Sequence, residues 1–108
     1  MTSNSFTKDL TDAESERLVM LAEECGEVIQ IIGKILRHGY TSYHPGDGDM
    51  TTNWTLLNKE LNDIGAVVYG MITAGDYKEE DFSLEIQEKI WQKKLKWTHH
   101  QDKTDACS

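Results

Sequence analysis

The sequence predicts an all-α protein, and three observations carry that reading. Apolar residues recur at steps of three and four over long stretches, no segment alternates convincingly at period two, and the 108 residues include a single proline. The expected architecture is a bundle of long antiparallel amphipathic helices in one domain spanning 1–108. A chain of this length holds one domain and is too short for two. With 38% hydrophobic residues its core is modest, one that a partner subunit could complete.

The first helix is expected over 12–38, where Leu18, Leu21, Cys25, Val28 and Ile29, then Ile32, Ile35 and Leu36, form the apolar stripe. Thr11 and Glu14 have the spacing of a capping box, while Arg37, His38 and Gly39 supply the chemistry of a helix end. Residues 39–52 contain Gly39, Gly46, Gly48 and Pro45 and read as a loop. A second helix is expected over 53–74, ended by Gly75, with Leu57, Leu61, Ile64, Val68, Met71 and Ile72 as its stripe. Gly65 and Gly70 inside it cost intrinsic stability and suggest close helix contact. Asp76–Asp81 reads as a turn or short helix. A third long helix is expected over 83–98, packing through Ile86, Ile90, Trp91, Leu95 and Trp97, and 99–108 reads as a polar tail.

Charge narrows the function. The net charge of −8, from 19 acidic against 11 basic residues, disfavours nucleic-acid polymers and anionic membranes, both of which need a basic surface. No apolar run approaches the roughly 18–20 residues that cross a bilayer. The opening Met-Thr-Ser-Asn-Ser-Phe lacks the basic-then-apolar pattern of a secretory signal. Cys25 and Cys107 are far apart and make no metal-type pair, so a reduced cytoplasmic protein is expected.

The acidic residues are patterned. Glu24 and Glu27 lie three apart on the first helix beside Leu21 and Val28, and Glu60 and Asp63 repeat the spacing on the second. On antiparallel neighbours the two pairs could face each other across the seam. Four carboxylates brought that close repel, and a divalent cation would relieve the repulsion. There is no Glu-x-x-His motif and no Cys or His at ligand spacing, which argues against redox iron or zinc. Magnesium, or manganese in its place, suits carboxylate-only ligation and commonly shares its sphere with phosphates. The alternative for any one such pair is a solvated helix face.

Glu23-Glu24-Cys25-Gly26-Glu27 followed by Glu60-Leu61-Asn62-Asp63 resembles the E-E-x-x-E … E-x-x-D signature of the MazG-like all-α nucleoside triphosphate pyrophosphohydrolases. The flanks Leu21-Ala22 and Ile64-Gly65-Ala66-Val67-Val68 agree, and Lys89–Trp97 resembles the basic closing helix of small phage and bacterial members. The likeness covers roughly residues 14–100, with a longer gap (residues 28–59) between Glu27 and Glu60 than the family usually has. The resemblance implies a four-helix architecture completed by homodimer or tetramer formation. It also implies magnesium-dependent hydrolysis of a (deoxy)nucleoside triphosphate to the monophosphate and pyrophosphate, in nucleotide-pool clearance. By carry-over, Glu24, Glu27, Glu60 and Asp63 would hold the metal, and Glu23 or a ligand carboxylate such as Glu24 would act as general base. The alternatives are a base-specific dUTPase or dCTPase type, a phosphoribosyl-ATP pyrophosphohydrolase, or a non-catalytic nucleotide-binding regulator of the same fold.

Further candidates are weaker. Lys93, on a stripe with Lys89 and Lys96, could take pyrophosphate, and Lys34 could reach a phosphate, though a surface role serves either. Trp54 could stack on a base, with core packing as the alternative. Asn58 or Asn62 could hydrogen-bond a base or sugar.

Overall fold

A computed structural model of the chain describes residues 9–103. It is all-helical: α1 spans Asp12–His38, α2 Asn53–Ala74 and α3 Leu84–Leu95, with a single 3-10 turn at Glu79–Asp81. Among the described residues there is no strand; the only β pairing is an isolated bridge between Tyr43 and Thr52. No helix among the described residues is long and apolar enough to cross a membrane. The chain divides into two compact units, the first ending at Asp76 and the second beginning at Tyr77.

The first unit is an antiparallel hairpin of α1 and α2. Thr11 opens α1 by accepting from the Glu14 amide at 3.1 Å, and Glu14 Oε1 accepts from the Thr11 amide at 2.9 Å, the reciprocal pair the sequence predicts. Thr52 caps α2 through the Thr55 amide, and Gly75 ends it in the left-handed conformation at φ 88°, which a Cβ would strain. Both ends of the hairpin are tied. At one, the Arg17 guanidinium makes a two-pronged ion pair with Asp76 (2.5 and 2.9 Å). At the other, buried Asn53 donates from Nδ2 to the carbonyl of Gly39 at 3.1 Å.

The packing corrects the expected stripe on α1. The line facing inward is Leu21, Glu24, Val28, Ile31 and Ile35, and Ile31, outside the expected set, is its one buried apolar side chain at 7% exposure. A second line one residue onward, Leu18, Cys25, Ile29, Ile32 and Leu36, is exposed, with Ile29 at 70% and Leu36 at 82%. A single neighbouring helix covers one ridge and leaves the adjacent one to solvent. On α2 the inward line holds Leu57, Glu60, Ile64, Val68 and Met71, whereas Leu61 and Trp54 are exposed, so Trp54 is not a core residue. A Cβ at Gly65 or Gly70 would meet nothing within 4 Å, so neither marks close contact among the described residues.

In the second unit, Ser83 caps α3 by accepting from the Ile86 amide, and Leu95 is buried at 3% exposure. Tyr77 and Phe82 meet edge to face, with ring centroids 6.3 Å apart. The third helix is shorter than the expected 83–98. The amides of Lys96, Trp97 and Thr98 bond three residues back, tightening the end into turns, and the Thr98 hydroxyl takes the Leu95 carbonyl. Ile90, Trp91 and Trp97, expected to pack, are exposed. Residues 99–103 continue without a helix, and the rest of the expected tail, with Cys107, lies outside the described residues.

Candidate metal centre

Glu24 and Glu60 sit on the inward lines of their helices, at positions where the same 3.6-residue period that buries Val28 and Ile64 also turns a carboxylate into the seam. Each of Glu24, Glu60 and Asp63 offers a carboxylate oxygen within 4.8 Å of the others. Glu60 is buried, Glu24 and Asp63 are half-buried, and Glu27 is exposed at the rim but interacts with Glu60. The two acidic pairs therefore meet across the α1–α2 seam.

Their electrostatics follow from crowding. The Glu60 carboxylate alongside, then burial, then the charges of Glu27 and Asp63 raise Glu24 to about 7. Glu27 is also raised, chiefly by Glu60. Glu60 is lowered by the neighbouring carboxyls, Glu27 first and then Glu24, and by Lys59, against the opposing effect of burial. Lys59 was not singled out in the sequence. Its ammonium donates to Asp63 at 2.8 Å and to Glu60 at 3.4 Å, and these contacts raise it above its ordinary value. The i,i+4 spacing of Lys59 and Asp63 was the available signal.

The donor set fits a hard divalent cation. Glu24 Oε2 and Glu60 Oε2 are buried without a hydrogen-bond partner, an arrangement costly for carboxylates unless a cation or proton serves them. All three clustered groups are carboxylates, the ligand type of magnesium and manganese rather than of zinc.

Other expected residues are placed variously. Glu23 is exposed one position around α1, outside the three-carboxylate cluster. Asn62 donates to the Asn58 carbonyl at 2.8 Å and approaches its side chain, so the two asparagines engage each other on the outer face of α2. Trp54 is exposed at the start of α2, its amide held by the Tyr40 carbonyl. Lys34 lines a cavity near the loop, and Lys93 is exposed on α3 in the second unit. Cys25 is a free, exposed thiol.

The 39–52 segment has more internal order than its composition suggests. Asp47 accepts the amides of Asp49 (2.9 Å) and Thr51 (3.0 Å), which lowers its pKa. His44 Nδ1 accepts from the Gly46 amide. The chain matches no family model, no curated protein sequence and no solved structure.

Proposed function

We propose that the protein is a magnesium-dependent nucleoside triphosphate pyrophosphohydrolase of the MazG-like type. The observation that carries the reading is the convergence of Glu24, Glu60 and Asp63 on one point of the seam, with an unpartnered buried oxygen on each of the two glutamates. Three converging carboxylates suit a magnesium ion that keeps part of its sphere for a phosphate. Glu60, Asp63 and Glu24, with Glu27 at the rim, would hold magnesium, manganese serving in its place. When bound, that cation supplies charge neutralisation to the triphosphate and favours in-line attack on its α-phosphorus. Glu24, as one of these carboxylates in the seam, would take a proton at a carboxylate oxygen from an attacking water. Lys59 holds Asp63 in place and balances part of the negative charge. Glu23 remains the alternative base on the same helix.

The active form in this reading is an oligomer of the chain, a homodimer or tetramer. The exposed ridge of Leu18, Ile29, Ile32 and Leu36 on α1 is an apolar surface of the kind that a second copy covers, and two hairpins so joined make a four-helix bundle. The test is magnesium-dependent release of pyrophosphate, rather than orthophosphate, from each common ribo- and deoxyribonucleoside triphosphate. Release lost in Glu24→Gln and Glu60→Gln proteins establishes reaction and site together. A folded, magnesium-supplied protein that turns over none of them refutes it.

A further inference from the structure

The hairpin carries a concavity at the loop end of the helix pair, apart from the carboxylates. It encloses about 360 Å³ between the last turns of α1, the 39–52 segment and the start of α2, within the range of small-ligand sites. Lys34, Arg37, His38 and His44 line it, and the only acid among its walls is Asp47. In a chain of net charge −8 this is a local reversal of sign.

The basic groups are not used internally. Neither Lys34 nor Arg37 makes an ion pair among the described residues, while Asp47 spends one oxygen on the Asp49 amide and the other on the Thr51 amide. The carbonyl end of α1, which would repel an anion, is partly covered. Ile35 O takes the Gly39 amide at 2.7 Å, and Asn53 Nδ2 holds Gly39 O. Because His44 Nδ1 accepts from the Gly46 amide, its Nε2 remains as the donor for a ligand. Lys34 lies seven residues beyond Glu27, two turns along the same face and about 10 Å away.

We propose that this cavity is an anion site that binds a phosphoryl group through Lys34 and Arg37. The anion site stands on the cavity and its charge; the choice of phosphoryl over other anions rests on the hydrolase reading above. The phosphate comes either from the nucleotide engaged at the carboxylates or from a separate phosphorylated molecule.

Isothermal titration of the full chain with pyrophosphate in EDTA tests it, because neither metal nor turnover is then required. The expected result is saturable binding that weakens at least about tenfold in a Lys34→Gln/Arg37→Gln protein and persists in Glu60→Gln. Both cationic side chains are exposed, and circular dichroism verifies that the double variant keeps its helices. No binding by the parent, or binding indifferent to the double substitution, overturns the proposal, whatever the pyrophosphate-release assay gives. A non-hydrolysable nucleoside triphosphate with magnesium that displaces pyrophosphate identifies the substrate as the source. Simultaneous binding of both identifies a separate phosphorylated ligand.

Discussion

Glu24 on α1 and Glu60 on α2 face each other across the helix seam with carboxylate oxygens within 4.8 Å, and this closeness moves their acidities in opposite directions, Glu24 up to about 7 and Glu60 down. A proton held between them stabilises the metal-free hairpin, and deprotonation leaves adjacent charges in a half-buried seam.

The consequence for pH has a definite sign. Glu24 and Glu27 bind protons more tightly folded than unfolded, where the ordinary value is 4.5. Their stabilising effect is full below 4.5; that of Glu24 is lost as pH rises through about 7, and that of Glu27 as pH rises above the ordinary carboxylate range. Glu60, Asp47 and Asp76 are lowered, so their contribution is present above the ordinary carboxylate range and is lost as pH falls below it. Thermal melts in EDTA should therefore show the melting temperature falling from pH 5 to pH 7.5. Glu24→Gln should flatten that slope, and an unchanged slope would remove Glu24 as its source.

Magnesium should reverse the trend. A cation at the seam competes with the shared proton, so its affinity rises with pH through about 7 and its binding releases protons. Calorimetry in buffers of different ionisation enthalpy reads the proton count directly. Glu60→Gln or Asp63→Asn should weaken magnesium binding and lower pyrophosphate release by about 100-fold or more, beyond the range typical of second-layer ligands.

Lys59 makes the same cluster testable from the cationic side. Its ammonium neutralises Asp63 and Glu60 when no metal is bound. Lys59→Gln should lower the melting temperature in EDTA at pH 8 yet tighten magnesium binding by about threefold to tenfold, since a competing charge is gone. Weaker binding in the variant would instead make Lys59 a support for the ligand geometry.

The ion pair between Arg17 and Asp76 joins the start of α1 to the second residue after α2. Asp76→Asn and Arg17→Gln should each lower the melting temperature by a few degrees, and the double variant should be no worse than the poorer single one. Additive losses would show that the two side chains act separately.

The exposed ridge of α1 should govern association. Sedimentation of the parent chain should give a mass of at least twice 12.3 kDa, and Ile29→Glu or Leu36→Glu should shift it to the monomer without loss of helix. A parent chain that sediments as a monomer would leave that ridge without a second copy to cover it.

Most of the secondary structure was legible because it depends on neighbours in sequence. The capping box at Thr11 and Glu14, the ends at Gly39 and Gly75, and the helices 12–38 and 53–74 follow from local hydrogen bonds and a 3.6-residue period. Both i,i+3 acidic pairs were visible for the same reason, and with them the carboxylate-only chemistry. Tertiary structure decided what local pattern leaves open. Of the two apolar ridges on α1, separated by one residue, only the rotation of the helix against α2 selects the one with Val28 and Ile31 and leaves Ile29 and Leu36 in solvent. That same rotation brings Glu24 to Glu60, gives Lys59 its carboxylates, and sets Arg17 against Asp76, 59 residues along the chain. A period specifies which residues share a face; only packing specifies what that face meets.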